Sequence, residues 1–180
     1  MLQTHGANAH SLGSVTGPTH RVLSEAETLS RLRSKRGQPG YLAMFSSWLG
    51  GIVTDPALMQ IPLDDHLVHR GHGVFDTCTL SGGRLYRLGI HMDRLLTSAS
   101  LARIEHTWTK EDLIQMVTDT ASQTGIKDGA VRYWLTTGPG GFSPSPQECD
   151  EACFYCVIFD PMPLGGAGAN PMSSGKPEAT

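Results

Sequence analysis

Residues 64–103 constrain the fold of this chain more than any other stretch, because they combine clear structural boundaries with many reactive side chains. A polar segment rich in His and Gly leads into a short apolar run at residues 73–79, which predicts a strand. A Gly-Gly pair then signals a tight turn, and residues 84–87 return as a second strand. A helix is predicted at residues 90–103. We therefore expect a β-hairpin followed by a helix at the centre of the fold.

The helices predicted at residues 90–103 and 110–124 are each amphipathic. The second has a capping box at its start, with Thr109 as N-cap and Asp112 three residues later, and Gly125 ends it. In the first, the apolar residues recur at spacings of three and four, which is typical of a helix with one buried face: Met92, Leu95, Leu96 and Ala99.

Four further runs of apolar residues are bounded by Gly, Pro or Asp and also predict strands: 41–49, 52–55, 130–137 and 152–159. The first two are joined by a second Gly-Gly turn and are predicted to form a hairpin. Short strands joined by tight turns favour antiparallel pairing. The chain is therefore predicted to be α+β, with a mostly antiparallel sheet and two helices packed on one face.

The composition changes at both ends of this core. Residues 1–40 contain no acidic residue before Glu25 and are rich in Ser, Thr, His and Gly, and residues 161–180 show no hydrophobic period. We predict a disordered or weakly helical tail at 1–40, with a helix at 25–36, a folded domain at 41–160 and a disordered tail at 161–180. A cytoplasmic location is expected, with chloroplast or mitochondrion as the alternative, because the first segment is as poor in acid as a transit peptide but also poor in Arg.

Charge and hydropathy exclude two classes of partner. The net charge is −3 and the pI is near 6.2, so the chain lacks the basic footprint of a nucleic-acid-binding protein. Its apolar runs are far shorter than a bilayer span, so no membrane segment is expected.

Two clusters resemble metal-ligand patterns, but we predict no metal site. His66, His69 and His72 recur every three residues, yet Gly71 and Gly73 argue against the helix that would align them, so a polar loop lining a cleft is favoured. The second cluster has the spacing of an iron–sulfur motif, but strand alternation sends its last two thiols to opposite faces, so ordinary buried thiols are favoured: Cys149, Cys153 and Cys156.

Two features near the end of the core are candidates for ligand binding. Arg132 stands inside an otherwise apolar strand, so it lies either on a solvated face or in a site. GPGGF at 138–142 is either a simple turn or a phosphate cradle built from backbone N–H groups.

Several segments together resemble fold-type IV pyridoxal-phosphate enzymes, a family of D-amino-acid aminotransferases, branched-chain aminotransferases and aminodeoxychorismate lyases. They are RGHGVFDT at 70–77, HMDRLLTSA at 91–99 and DGAVRYWLTTGPGGF at 128–142. The likeness covers 41–159 and is greatest to plant and algal D-amino-acid aminotransferase-like proteins. It implies the N-terminal domain of that fold, pyridoxal phosphate as cofactor, a homodimer, and amino transfer between a D-amino acid and a 2-oxo acid. The other two branches are alternatives.

The resemblance also implies roles for individual residues. Arg94 matches the helix arginine that clamps the cofactor phosphate, and Phe75 matches the aromatic residue that faces the substrate side chain. Arg132 and the segment at 136–138 match the strand end that helps to hold the substrate carboxylate. Thr137 stands where bacterial D-specific members carry an arginine, so carboxylate binding falls to Arg132 or to the loop at 66–72.

The resemblance provides no catalytic lysine. The lysines are Lys35, Lys110, Lys127 and Lys176, and none matches the motif of the family's Schiff-base lysine, which lies in a second domain. No catalytic residue is therefore assigned, and the chain is expected to be a truncated N-terminal domain that is inactive alone. The alternative is a non-catalytic module that pairs with a full-length subunit.

Overall fold

Six antiparallel strands and four helices form the structure, a computed structural model that describes residues 20–35 and 40–160. The helices are α1 (Glu25–Lys35), α2 (His66–Arg70), α3 (Leu88–Leu101) and α4 (Lys110–Ser122). The strands are β1 (Tyr41–Ser46), β2 (Gly51–Val53), β3 (Gly73–Ser81), β4 (Arg84–Leu85), β5 (Gly129–Thr136) and β6 (Cys153–Phe159). Their order in the sheet is β2-β1-β6-β5-β3-β4. The predicted α+β class is confirmed.

One face of the sheet, the helix face, packs against α3 and α4. Successive strand residues point to opposite faces, so every second residue of β5 and β6 enters this core. The helices contribute the apolar residues predicted from their spacing, and the capping box of Thr109 and Asp112 is present at the start of α4. Fully buried members of the core include Met92, Leu95, Leu113, Tyr133, Phe154 and Ile158.

The opposite face, here called the second face, carries the alternate residues of the same strands, including Phe75, Arg132, Trp134 and Val157. A smaller apolar cluster lies on its β1–β6 side: Met44, Met59, Cys153, Tyr155 and Val157. Phe75 and Arg132, nearer β3, are exposed. The second face is therefore apolar towards β1 and open towards β3.

The segment predicted as a polar loop at 64–73 contains the short helix α2, so that prediction is wrong in part. Asp65 caps the helix by accepting a hydrogen bond from the Leu67 N–H at 2.8 Å, and Gly71 ends it in the left-handed region at φ 66°. Gly71 does not prevent the helix, because it lies one residue beyond the last turn. The remaining residues form turns and extended backbone as expected.

Other element boundaries differ by a few residues. The hairpin of β1 and β2 is confirmed, with Met44 opposite Val53, but β1 ends at Ser46 because a turn occupies 47–50 and Gly50 takes a positive φ of 69°. The strand predicted at 84–87 is limited to two residues, since Arg87 turns to φ 51° at the start of α3. The helix predicted at 25–36 is present as α1.

Residues 1–19 and 36–39 of the first predicted tail and all of the second, 161–180, lie outside the described residues, so the predicted disorder there is untested. No helix within the described ranges is long and apolar enough to cross a bilayer.

A buried carboxylate ties α2 to the sheet. Asp65 has no exposed surface, and its Oδ2 accepts hydrogen bonds from Thr136 Oγ1 and Tyr155 Oη, both at 2.9 Å. With the Leu67 N–H, three donors surround it, which is how a buried carboxylate avoids a large desolvation cost. Asp65 therefore fixes the ends of β5 and β6 relative to α2.

Removing the Tyr155 hydroxyl should test this arrangement. Tyr155→Phe takes one donor from a buried carboxylate, and we expect it to lower the free energy of unfolding by about 1–3 kcal/mol. Tyr133→Phe is the matched control, because Tyr133 is equally buried but its hydroxyl has no hydrogen-bond partner among the described residues. It should change stability by less than about 0.5 kcal/mol. Urea unfolding followed by circular dichroism measures both; equal losses would contradict the assignment.

Candidate functional site

An ion-pair cluster joins β3 to α3 at the centre of the stretch 64–103. Asp76 lies on the helix face of β3 and is 5% exposed. Its Oδ2 accepts from Arg94 Nε at 2.8 Å and lies 3.3 Å from His91 Nδ1. Its Oδ1 accepts from Arg94 Nη2 and from the Thr77 N–H. Residues three apart on a helix share a face, so His91 and Arg94 reach the same carboxylate.

Both partners of this ion pair are charged at neutral pH. Burial by itself would raise the pKa of Asp76, but hydrogen bonds from Arg94, Thr77 and His91 and the charge of Arg94 hold that pKa below its usual value. The hydrogen bonds from Arg94 to Asp76 and the carboxylate charge raise the pKa of Arg94 above its usual value. The pair is therefore a fixed dipole whose positive end faces outward.

Arg94 fits a phosphate ligand. Its side chain is 66% exposed although Asp76 holds it through two nitrogen atoms. A guanidinium carries five N–H donors, so the donors not used by Asp76 remain for a ligand. A planar fork fixed in this way binds two phosphate oxygens well. The residues present therefore fit the phosphate of the expected cofactor.

Phe75 and Arg132 lie together on the second face. The Arg132 guanidinium carbon sits 5.4 Å from the centre of the Phe75 ring, and Arg132 Nε donates to Thr77 Oγ1 at 3.1 Å. The Phe75 side chain is 62% exposed. Arg132 is therefore exposed on the sheet, with its guanidinium oriented by two neighbours, and this position is compatible with both interpretations.

Thr137 is placed apart from these residues. It is nearly buried just beyond the end of β5, and its N–H donates to His72 O at 3.4 Å. It lines a cavity of about 310 Å³ together with Arg103 and Cys149. The structure thus brings Phe75 and Arg132 together on the second face of the sheet. It places Arg94 on the helix face and Thr137 just beyond the end of β5.

Two of the three histidines in the 66–72 segment are neighbours, because the His66 and His69 rings pack edge to face with their centres 4.8 Å apart. His66 Nε2 donates to Gly141 O at 3.1 Å, while His72 Nε2 lies 2.9 Å from Ala102 O at the end of α3. His69 packs against Phe142 with ring centres 5.0 Å apart. Within 20–35 and 40–160, no group of three metal-ligating side chains is positioned to hold an ion.

In the segment 138–142, the backbone N–H groups of Gly138 and Gly140 are already used within the protein, so these two groups are not available to cradle a phosphate. Gly138 N–H donates to Thr136 Oγ1 at 3.0 Å, and Gly140 N–H donates to Asp64 O at 3.1 Å. Pro139 has no N–H. The loop instead holds α2 in place, because the carbonyl groups of Gly138 and Gly141 accept hydrogen bonds from the His66 N–H and the His66 ring.

Cys153 and Cys156 lie on opposite faces of β6, as strand alternation predicts. Cys153 packs in the cluster of the second face and Cys156 in that of the helix face. Burial raises the pKa of Cys156 to about 11, so this thiol stays protonated near neutral pH. Burial and the charge of Asp76 raise the pKa of Cys78 to about 12.

Two acidic residues that organise the site were not singled out from the sequence. Asp65 precedes a short helix, and an Asp before such a helix is a recognisable N-cap signal. Asp76 occupies an inward position of an otherwise apolar strand, where a carboxylate requires a buried partner. The inward position of Asp76 in the sequence therefore indicates a buried partner. Which residue is that partner depends on how α3 packs against β3, which the sequence does not show.

The family profile described as amino-transferase class IV matches residues 73–168, which is more than half of the 180 residues. The chain belongs to the class IV aminotransferase family. The resemblance seen in the sequence is thereby confirmed. The match covers β3, α3 and β5, and so includes Arg94, Phe75, Arg132 and Thr137.

Relatives of this class IV chain fall into two groups. It is 48% identical over 138 residues to a chloroplastic D-amino-acid transaminase of Arabidopsis thaliana, covering 77% of this chain and 37% of the relative. It is 29% identical over 119 residues to a putative branched-chain-amino-acid aminotransferase of Methanocaldococcus jannaschii, covering 66% of this chain and 41% of the relative. The chain therefore spans about two fifths of the length of these relatives.

Solved structures support the same fold. The branched-chain amino acid aminotransferase of Escherichia coli superposes with a TM-score of 0.60 at 18% identity, over 68% of this chain and 41% of the other. A second branched-chain amino acid aminotransferase, complexed with N-(5'-phosphopyridoxyl)-L-glutamate, superposes with a TM-score of 0.61 at 18% identity, over 68% of this chain and 42% of the other. These likenesses show that the class IV chain has the fold of part of such enzymes.

The charge state of Asp76 predicts a pH-dependent stability. The folded pKa is lower than the unfolded value of about 3.9, so the stability that Asp76 contributes is complete above about pH 4 and is lost as the pH falls through the folded pKa. Asp76→Asn should lower the free energy of unfolding by about 1–3 kcal/mol near pH 7, and the difference from the unaltered chain should shrink below about pH 4. Urea titrations at several pH values measure it.

Asp93→Asn is the matched control for that experiment. Asp93 lies on α3, the same helix as Arg94, and its Oδ1 is 2.6 Å from Nζ of Lys110 at the start of α4. The Asp93 side chain is 61% exposed. Such surface pairs contribute about 0–1 kcal/mol. A difference for Asp76→Asn that stays constant down to about pH 2 would contradict the depressed pKa.

Proposed function

We propose that this chain provides the phosphate-binding and substrate-binding part of a pyridoxal-phosphate-dependent transaminase that moves an amino group between a D-amino acid and a 2-oxo acid. The observation that carries the proposal is Arg94, an exposed guanidinium held by Asp76 within the matched family segment. The D-amino-acid assignment is supported by the Arabidopsis relative. The folded unit at 41–160 is proposed as the N-terminal domain of such an enzyme.

When bound, the cofactor supplies an electron-accepting ring that stabilises the carbanion formed during amino transfer. Arg94 binds the phosphate group, and Asp76 keeps the guanidinium fork in one orientation. Arg132 binds the substrate carboxylate on the second face, where Phe75 provides an aromatic contact. Thr137, beside the cavity at the end of β5, is a further substrate-binding candidate.

Amino transfer needs an amine that attaches the cofactor and then moves a proton. The described lysines are not placed for this role: Lys110 pairs with Asp93, while Lys35 and Lys127 are exposed in α1 and in the loop before β5. We therefore expect the amine to come from outside the described residues. The part of the chain that the structure describes should be inactive by itself, and pairing with a full-length subunit is the non-catalytic alternative.

The branched-chain aminotransferase and aminodeoxychorismate lyase branches are alternative activities. The Methanocaldococcus relative, named a putative branched-chain aminotransferase, supports the first of these. A homodimer and a cytoplasmic location were expected from the sequence; the chloroplastic Arabidopsis relative supports the organellar alternative.

Replacing Arg94 tests the cofactor assignment. Arg94→Gln should weaken the binding of pyridoxal phosphate to the 180-residue chain about tenfold or more, because a charge-assisted contact to phosphate is lost. Binding of pyridoxal, which has no phosphate, should not change. Isothermal titration calorimetry measures both ligands. Arg84→Gln, which removes an exposed arginine of β4, is the control.

An equal effect of Arg94→Gln on both ligands would contradict the phosphate role. Activity is tested separately with D-alanine, 2-oxoglutarate and pyridoxal phosphate, followed by borohydride reduction and mass spectrometry. Pyruvate formation by the chain alone, with the cofactor trapped on one lysine, would contradict the expected inactivity and would identify that lysine. A preference for L-alanine would contradict the D-amino-acid assignment.

A further inference from the structure

We propose that His91 is a positioning residue for the phosphate site at Arg94, and that it takes up a proton when a phosphate group binds there. The imidazolium then balances the charge of Asp76, so that the charge of Arg94 is left for the ligand. This inference rests on the proposed function, because it needs a phosphate at Arg94. It concerns a residue that acts through Asp76 and has no assigned contact with the ligand.

His91 and Arg94 share one oxygen atom of Asp76. The Oδ2 atom lies 3.3 Å from His91 Nδ1 and accepts a hydrogen bond from Arg94 Nε at 2.8 Å. An ionised carboxylate can only accept hydrogen bonds, so the Nδ1 atom of His91 carries the hydrogen in this contact. Because Asp76 is 5% exposed, water and salt screen the three groups from one another only weakly.

The second ring nitrogen of His91 is available to a proton. Its Nε2 has no hydrogen-bond partner among the described residues, and the His91 side chain is 23% exposed, so water reaches the ring. Imidazole is the side chain that ordinarily gains or loses a proton between about pH 5 and 8. A carboxylate that accepts from the Nδ1–H stabilises the imidazolium, as in the aspartate–histidine pairs of hydrolases.

The charges of this cluster explain why a bound phosphate favours the proton. With a neutral imidazole, the charges of Asp76 and Arg94 cancel, whereas a protonated His91 gives the three side chains a net positive charge. A phosphate monoester carries about −1.5 to −2 charges at pH 7, so it is attracted to the protonated form more strongly. By linkage, a ligand that prefers the protonated form promotes the uptake of the proton.

Asp76 is the charged group that His91 contacts directly, and Arg94 binds the same carboxylate. Two further titratable groups lie beside Asp76 on the helix face and are neutral near pH 7. Burial raises the pKa of Cys78 to about 12 and raises the pKa of Tyr133 above its usual value. The charged side chains nearby on α3 and α4 have contacts of their own: Arg87 with the Tyr86 ring, and Asp93 with Lys110.

A pair of variants separates the proton from the hydrogen bond. His91→Asn keeps an N–H donor near the position of Nδ1 but cannot take up a proton, and His91→Leu lacks both. His106→Asn is the matched control, because His106 is also half-buried but stacks on Trp108 in the loop between α3 and α4. Circular dichroism and urea unfolding confirm that each variant is folded.

Calorimetric titration of the 180-residue chain with pyridoxal phosphate measures the proton. Buffers of different ionisation enthalpy give the number of protons taken up per ligand at pH 7, which should fall in His91→Asn and stay unchanged in His106→Asn. At pH 6, His91→Asn should bind about five- to tenfold more weakly than the unaltered chain, a typical coupling between two sites. At pH 8.5 the two affinities should agree within about twofold, because imidazole is then mostly uncharged.

NMR gives a measurement on the unaltered chain. Inorganic phosphate added at pH 7 should move the ¹⁵N signals of the His91 ring towards those of an imidazolium, and the His106 signals should stay in place. Arg94→Gln should abolish the change at His91, because the phosphate then lacks its site.

Two results would overturn the role of His91 and leave the proposed function standing, since Arg94 would still bind the phosphate. One is equal proton uptake by the unaltered chain and His91→Asn. The other is an equal loss of affinity in both His91 variants at pH 6 and at pH 8.5, which a purely structural hydrogen bond would produce. Phosphate ligands that fail to bind the unaltered chain, or that bind Arg94→Gln equally well, would overturn the proposed function and the role of His91 with it.

Discussion

The antiparallel pairing of β5 with β3 on one side and β6 on the other is the constraint on which the rest of the structure depends. This register assigns each side chain of the three strands to one of two faces. Tyr133 and Asp76 enter the helix face, while Arg132 and Phe75 remain on the second face. A shift of one residue would bury Arg132 in the core and expose Asp76. The strand register therefore sets both the packing of the core and the placement of the candidate site residues.

Two buried carboxylates, Asp65 and Asp76, hold helices α2 and α3 to the sheet. Asp65 gathers donors from α2, β5 and β6, and so fixes the polar segment and the 138–142 loop against the sheet. Asp76 gathers donors from β3 and α3, and so fixes Arg94 at the surface. Each carboxylate is surrounded by hydrogen-bond donors, because an incompletely paired buried charge is costly. In both cases an acidic residue fixes neighbouring elements relative to the sheet.

The regular elements follow from local signals. The capping box at Thr109 and the apolar spacing of α3 predict their helices because both act within a few residues. The sequence does not predict the short helix at His66, because Gly71 and Gly73 disfavour a helix in this segment, although Gly71 only ends it. The role of the loop at 138–142 is ambiguous in the sequence, because the Gly140 N–H donates to Asp64 O, more than seventy residues away in the chain. Long-range partners of this kind leave no local signature.

The sequence by itself determined the α+β class, most element positions, the family, and the identity of Arg94, Phe75, Arg132 and Thr137 as candidates, because periodicity, turn residues and family motifs are local properties of the chain. Only the tertiary structure decided which of these residues meet. It placed Arg94 with Asp76 on one face, stacked Arg132 on Phe75 on the other, and separated Thr137 from both. The physical reason is that strand register and helix packing bring together residues that are distant in sequence.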